Sequence, residues 1–481
     1  MTQEQLQAIF KSPDIKANVE ALQVEQVTVK SWSDLEKEYD PTQHPINDKA
    51  LYPEPKTEGQ RKVSLRRITL SEQKLSASLM TGYCVGTPVF RNYELPKNEA
   101  GEVEQKYVNA KNLMEAVYQE AGIEQENIHR IHKLFSTCQI ATVWYSKAVP
   151  TMYAGKEYNN TILCKTYSAD TCNLWPQFDR YDNLLGIGIE YERKEKDITT
   201  TYFDLYTKDG VKNYSKVGER DWVDITAKEI TVNTLSVAYS YRPTPIWEDT
   251  SQATYAKEEM LTYTNFYIRQ NSDPKEVYLA DESTLDSIRE QINDAKEKGL
   301  SFSAAVRQIF MEKGSNFFYA QYEGATKAVE FMTQQLRDEQ NRCLQLFDLS
   351  EKSVSNISTE TFRLMMNVAE MKVKEEAGRL IKLFRDEEKA IRAHIYAMVT
   401  EDVRKTLEAI KIEHEIIPFT VQDVLREVQI NSEAISAGIK SKKRAISEMY
   451  PGQEDIIMRE IEEELAAEQN AGLEDIGIND L

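Results

Sequence analysis

The first 60 residues are polar, and Pro41, Pro45, Pro53 and Pro55 fall in a loose stretch, which predicts an extended or partly mobile arm. Arg61 to Leu79, RKVSLRRITLSEQKLSASL, is amphipathic at helical spacing; the helix it predicts stops at Gly82, Gly86 and Pro88. Residues 110–135 are again helical in pattern. Alternation then takes over. In LLGIGIEYERK (184–194), Leu185, Ile187, Ile189 and Tyr191 alternate with Gly186, Gly188, Glu190 and Glu192. TTYFDLYT (200–207) follows, then Lys208-Asp209-Gly210, then VKNYSKV. Asp-Gly between alternating runs predicts a hairpin, because both residues tolerate positive φ. Residues 228–241 supply another strand or two. The sum is an antiparallel sheet in an α+β domain.

Beyond Pro243 and Pro245 the pattern changes. Thr250 is placed to cap a helix running to about Arg269. Residues 271–324 mix a charged helix (about 283–298) with short strands, VRQIFMEK and SNFFYAQY, and Gly324 closes this small module. A helix follows over 325–346, with Ala325, Val329, Met332, Leu336 and Cys343 down one face. A polar break, 347–359, separates it from the longest predicted element. This runs from Glu360, capped by Ser358, to Pro418, with one stripe from Phe362 through Leu380, Phe384 and Ile391 to Ile410. Gly378 is its only glycine and the expected place for a bend. Two shorter helices, about 431–449 and 453–470, are separated by Pro451-Gly452.

Composition sharpens this division. Twelve of the fourteen prolines lie at or before Pro274, and all five tryptophans lie at or before Trp247. The 481 residues carry 79 acids and 59 bases, a net charge of −20. Residues 451–481 hold ten acids against one base, Arg459. A cluster of Lys440, Lys442, Lys443 and Arg444 breaks that acidity; it reads as a solvated or intersubunit-paired helix face, or as a contact for a polyanion. No run of about 18 apolar residues predicts a membrane span. The start of the chain has no secretory pattern, so the expected compartment is the cytoplasm. Five widely spaced cysteines give no disulfide framework.

The search for chemistry is unproductive. There is no G-x-x-x-x-G-K-[ST], so a nucleotide-driven motor would have to be a partner. Gly186 and Gly188 lie in an alternating strand without the third glycine of a dinucleotide fingerprint. His414-Glu415 begins like a zinc-protease motif but meets Pro418 where the second histidine belongs. His129, His132 and Cys138 fit a surface helix better than a metal site. No enzyme activity, cofactor or metal is expected.

The order of elements is itself informative: α+β domain, helix, small module, helix, polar loop, very long helix, helical tail. With VSLRRITLSEQKLSASLMTGYCVGTPVF and its Tyr83, Gly86 and Pro88, the meander IGIEYERKEKDITTTYFDLYTKDGVKNY, the proline-marked entry RPTPIWEDTSQATYAKEEMLTYTNFYIRQNSD, and the ending KKRAISEMYPGQEDIIMREIEEELAAE, it resembles the portal protein, or head-to-tail connector, of tailed double-stranded DNA bacteriophages, in the siphovirus-like branch. The likeness covers most of the chain after about residue 60.

The resemblance implies an α+β portal fold in a homo-oligomeric ring, typically of twelve subunits. That ring sits at one capsid vertex of the virion, is assembled in the host cytoplasm, and passes double-stranded DNA during packaging and ejection. It implies a wing (61–250), a stem helix (251–270), a clip (271–324), a second stem helix (325–346), a tunnel loop (347–359), a long wing helix (360–417) and a helical crown with an acidic tail (418–481). Terminase, head-tail adaptor, major capsid and scaffold proteins would be the partners, with no membrane. In the tunnel loop, Lys352 and Asn356 would touch phosphate weakly and Val354 would make van der Waals contact; an ordinary surface turn is the alternative. In the clip, Arg307, Phe310, Phe317 and Tyr319 would pack between subunits or meet a partner. Twelve copies at −20 each make −240, a ring that repels DNA from most of its wall and so suits passage over retention. The competing expectation is a non-viral coiled-coil scaffold or interaction protein built on residues 360–417.

Overall fold

The computed structural model describes residues 1–23, 27–55, 64–99, 101–196, 198–226, most of 232–271, strands 276–280 and 308–312 with scattered helical positions between them, 323–345, 359–418 and most of 431–461. Side chains are described along the long helix from Asn367 onward. The chain forms two compact units. The first comprises Met1–Val29, Ser78–Thr244 and Phe347–Leu481; the second comprises Lys30–Ala77 and Pro245–Leu346.

The N-terminal expectation needs correction. Residues 1–60 are largely helical where described: α1 (Gln3–Lys11), α2 (Ile15–Leu22) and α3 (Trp32–Tyr39), followed by two short 3-10 turns. Each helix is capped by its preceding polar side chain, Thr2, Asp14 and Ser31. Scattered apolar residues make one or two buried anchors per helix (Leu6; Val19 and Leu22; Leu35), too few for periodicity to show. The next predicted helix also starts late: α4 covers Glu72–Val85 and runs through Gly82. Residues 64–70 are not helical. The Ile68 and Leu70 backbone N–H groups donate to Thr262 Oγ1 and Glu258 Oε1, which takes them away from any helical ladder.

In the first unit, β1 (Phe90–Glu94) precedes α5 (Gln105–Glu120) and α6 (Ile123–Thr137), which meet at the left-handed Gly122. Strands β2 (Gln139–Lys147), β3 (Thr151–Tyr153), β4 (Lys156–Tyr158), β5 (Thr161–Ser168) and β6 (Asn173–Phe178) follow. The meander then runs through β7 (Leu184–Glu195), β8 (Ile198–Thr207), β9 (Gly210–Val217), β10 (Val223–Asp224) and β11 (Val237–Tyr241). A five-stranded antiparallel sheet, β10-β9-β8-β7-β6, faces a three-stranded one, β11-β2-β5. Between them Ile187, Ile189, Tyr206, Val143, Val237 and Tyr239 share one core. The β8–β9 hairpin closes on a two-residue Lys208-Asp209 turn, with Thr207 opposite Gly210.

Alternation in 184–194 holds with one exception. A register shift between Gln177 and Phe178 pairs Leu184 and Gly186 with successive partners and leaves Leu185 bulged. Leu185 therefore joins Leu6, Leu22, Phe203 and Leu205 on the outer face, under α1 and α2. Gly188 faces the same way, and a Cβ there would stand 2.5 Å from the Phe203 ring. The two glycines make room for packing, not for a nucleotide.

The second unit holds α7 (Ser251–Asn271), β12 (Glu276–Ala280), β13 (Gln308–Glu312) and α8 (Glu323–Leu344). Thr250 does not cap α7 as expected; it lies in a preceding 3-10 turn, and its hydroxyl donates to the Trp247 carbonyl.

The long helix is shorter than expected. α9 spans Thr359–Tyr396, about 57 Å at 1.5 Å per residue. It runs through Gly378, then yields to α10 (Glu401–Glu408) and β14 (Lys411–Glu415), which pairs antiparallel with β1. Of the apolar positions after 396, Met398 lies in a turn, Val403 and Leu407 in that short helix, and Ile410 just before an alternating strand with Ile412 and His414 inward. Steps of three and four between apolar residues hid the change of period. The stripe of α9, including Leu380, Phe384, Ile391 and Ile395, is buried, and the helix packs on β11 and β2. Helix α11 (Lys442–Met449) follows, and helical positions recur at 457–459 and 461.

Candidate functional site

The second unit supplies the most distinctive surface. Thr254 and Lys257 of α7 both bond Gln340 of α8, at 2.7 and 2.8 Å, and Cys343 further along α8 lies near Asp249 just before α7, so the two helices run antiparallel. Lys257 also donates to Glu72 Oε1 at 2.8 Å. One helical turn on, Glu258 accepts from Leu70 N and lies 2.6 Å from His44 Nδ1, with both side chains fully buried. Burial works against a charge on His44. Its bonds to Glu258 and to the Glu38 carbonyl outweigh that, and its pKa is raised. This end of the helix pair is thus joined through buried polar groups, with Glu258 Oε1 engaged and its Oε2 without a partner among the described residues.

The other end is different. The pairing at Gln340 sets Phe331 level with about residue 266 of α7, given equal rise along both helices. There Phe331 is 64%, Met332 52% and Ile268 58% exposed, with Tyr267 also exposed. At this end α7 leads into β12 and α8 follows β13. These strands pair in parallel, with Tyr278 opposite Phe310. A parallel pair needs a crossover of a dozen or more residues, which 281–307 provide. Helical positions at Ser283, Asp286, Arg289 and Asn293 recur within it, in the stretch where a charged helix is expected.

The site residues named from the sequence divide as follows. Phe310 is in β13, as its strand pattern requires. Arg307, Phe317 and Tyr319 lie outside the described residues, as do Lys352, Val354 and Asn356 of the 347–359 loop. In the basic cluster, Lys440 is half-buried and donates to Asn431 Oδ1 at 2.7 Å, so it serves local structure. Lys442, Lys443 and Arg444 are exposed in the first turn of α11.

Sequence reasoning missed a polar cavity of about 450 Å³ in the first unit, lined by Lys165, Asp204, Asn213, Ser146 and His394 among others. These residues come from four strands and α9, so no local motif unites them. Burial raises the pKa of Asp204 against bonds from Asn213 and Tyr191, and lowers that of Lys165. Ser146 Oγ lies 2.9 Å from His394 Nδ1, while His394 Nε2 meets the Trp144 carbonyl at 3.0 Å. The carbonyl can only accept, so Nε2 carries the proton and Nδ1 accepts from Ser146. Burial lowers the His394 pKa to about 4. An imidazole that binds protons so weakly is a poor base for activating a hydroxyl at neutral pH. Burial likewise pushes Cys84, Cys164 and Cys172 up to about 12, far from a reactive thiolate.

Among the described residues there is no cluster of three or more metal-ligating side chains and no helix long and apolar enough to cross a membrane. No protein-family model matches the sequence, and no curated protein matches it.

Proposed function

We propose that this chain is a phage portal protein, forming a closed ring of about twelve copies at a capsid vertex and passing double-stranded DNA through the central hole. The observation that carries the reading is the antiparallel α7–α8 pair. It has a buried polar base, an exposed apolar band of Tyr267, Ile268, Phe331 and Met332, and a small inserted module beyond that band. A lone chain gains nothing from such a band. A second copy of the same helix pair is the natural cover, and repetition of a heterologous contact closes a ring.

In this reading α7 and α8 are the stem and the 271–324 module is the clip, with Arg307, Phe310, Phe317 and Tyr319 at its contacts. Lys352, Val354 and Asn356 face the channel, and Lys440, Lys442, Lys443 and Arg444 belong to the crown. Terminase, adaptor, capsid and scaffold proteins are the partners, and no cofactor takes part. The coiled-coil alternative is less well supported, because the stripe of α9 is already spent on β11 and β2 within its own unit. It does not need a second helix.

Native mass spectrometry with negative-stain imaging tests the proposal, in the presence of scaffold and capsid protein if the chain alone stays monomeric. The expected particle has a central hole and a mass of about 660 kDa, twelve subunits of 55.4 kDa. A compact particle with no axial opening under both conditions refutes it. Lys352→Ala should leave rings intact and alter DNA retention. Charge reversal at Arg307 should weaken terminase or adaptor docking, and unchanged docking removes the clip assignment.

A further inference from the structure

A second concavity, of about 880 Å³, lies in the first unit between the edge of the sheets and α9. Its floor is an aromatic triangle, Phe178, Tyr239 and Tyr241, with ring centroids 6.0–6.1 Å apart. Leu184, Leu235 and Val237 extend that apolar floor. Its rim is basic: Arg379, Lys382, Arg385 and Lys389 follow one another along α9, and Lys208 stands on the β8–β9 turn. Two carboxylates also line it. Asp386 is paired with Lys389 at 2.7 Å, and Asp179 is held by Asn183 and the Tyr181 backbone. Lys382, Arg385 and Lys208 are exposed and have no ion-pair partner among the described residues.

Gly378 lines the rim with bare helix backbone, and nothing stands within 4 Å of where its Cβ would be.

An occupant must match a cationic rim and an apolar floor together, on a protein whose net charge is −20. Residues 462–481 do so. They hold seven acids and no base, and within GLEDIGINDL the residues Leu473, Ile476, Ile478 and Leu481 are interleaved with Glu474, Asp475 and Asp480. The twelve residues from 461 to Leu473 span up to about 40 Å extended, roughly twice the radius of gyration expected of a unit this size. We propose that this groove is a docking site for the acidic, aliphatic segment 473–481 of this chain, its carboxylates on Lys382, Arg385 and Lys208 and its aliphatic side chains on the aromatic floor. Nucleic acid would satisfy the rim but would leave the half-buried Leu184 and Leu235 uncovered. The inference does not depend on ring formation.

Carbodiimide coupling of the full-length chain, with the products mapped by mass spectrometry, tests it. Amide links are expected from Lys382 or Lys389 to Glu474, Asp475 or Asp480. Arg385→Glu with Lys208→Glu should reduce them at least tenfold without changing the melting temperature, since both side chains are exposed and neither has an ion-pair partner among the described residues. Leu473→Ser with Ile476→Ser should reduce them similarly. The proposal is overturned if these acids couple only to other lysines, or if the links persist undiminished in both double variants. It is also overturned if a 20-base-pair duplex binds the groove, by loss in Arg385→Glu/Lys208→Glu, while no such links form.

Discussion

Glu387→Ala tests the join between α9 and the sheet core. Glu387 and Arg130 are 2% and 0% exposed and meet through two bonds, of 2.6 and 2.8 Å. Glu387 Oε1 also accepts from the Trp144 indole N–H at 3.1 Å. Truncation leaves a guanidinium buried with only neutral partners, Asn127 Oδ1 and Thr142 Oγ1, and leaves the indole without its acceptor. Removing one member of a buried pair costs about 3–5 kcal/mol. The indole alone would account for about 1–3 kcal/mol, but the two losses share one carboxylate and overlap. We therefore expect a loss of about 4 kcal/mol. The double variant Arg130→Met/Glu387→Leu removes both charges and should recover all but about 1–2 kcal/mol, because the cost lies in an unpaired charge. Two units need not melt together, so the measurement should be local: native-state hydrogen exchange of the β2 amides, Ile140–Tyr145, alongside urea denaturation followed by fluorescence. A loss below about 1 kcal/mol in Glu387→Ala, or a double variant no better than the single, refutes the reasoning.

Other consequences can be checked more briefly. Phe331→Glu with Ile268→Glu should abolish assembly while leaving the circular dichroism of the chain unchanged; rings that persist by native mass spectrometry would remove the apolar band from the interface. Gly188→Ala must push the Phe203 ring aside and should cost about 1–3 kcal/mol, whereas Gly378→Ala meets nothing within 4 Å and should add up to about 1 kcal/mol of helix stability by thermal melting. His394, with its pKa lowered by burial to about 4, stays neutral in the fold while an unfolded chain takes up a proton below about 6.5. Stability of the first unit should fall by up to about 3 kcal/mol as pH drops from 6.5 to 4, and His394→Gln should flatten that slope by one proton. His44 has the opposite sign: its raised pKa gives the second unit stability that is full below about pH 6.5 and is lost as pH rises through the folded value, a trend that His44→Gln should remove.

What could be read from the sequence depended on how many residues carried each signal. The meander over 184–217 was legible because alternation and a turn dipeptide agree over three strands; only the Leu185 bulge escaped, since a bulge adds no residue type of its own. The helices of α7 and α8 were legible because both are long and free of proline. The N-terminal helices were hidden by their shortness and by having only one or two buried apolar anchors each. The end of α9 was hidden because Met398, Val403, Leu407 and Ile410 continue near-helical spacing beyond Tyr396, where the chain has already turned. The polar base at His44, Lys257, Glu258 and Gln340 joins positions up to 296 residues apart, and no spacing rule reaches that far. The exposed apolar band on α7 and α8 is invisible without knowing which faces the pair leaves bare.

The pairing of β1 with β14 has a consequence for synthesis. Glu94 leaves the ribosome 317 residues before its partner Lys411. At about 5–20 residues per second, that is roughly 16 to 63 seconds. Through that interval Phe90–Glu94 offers unsatisfied amides and carbonyls to any passing strand, including the same segment of a sibling nascent chain. Slow codons after residue 95 should therefore lower the yield of native protein, and holding chaperones should matter most in the window that β14 closes.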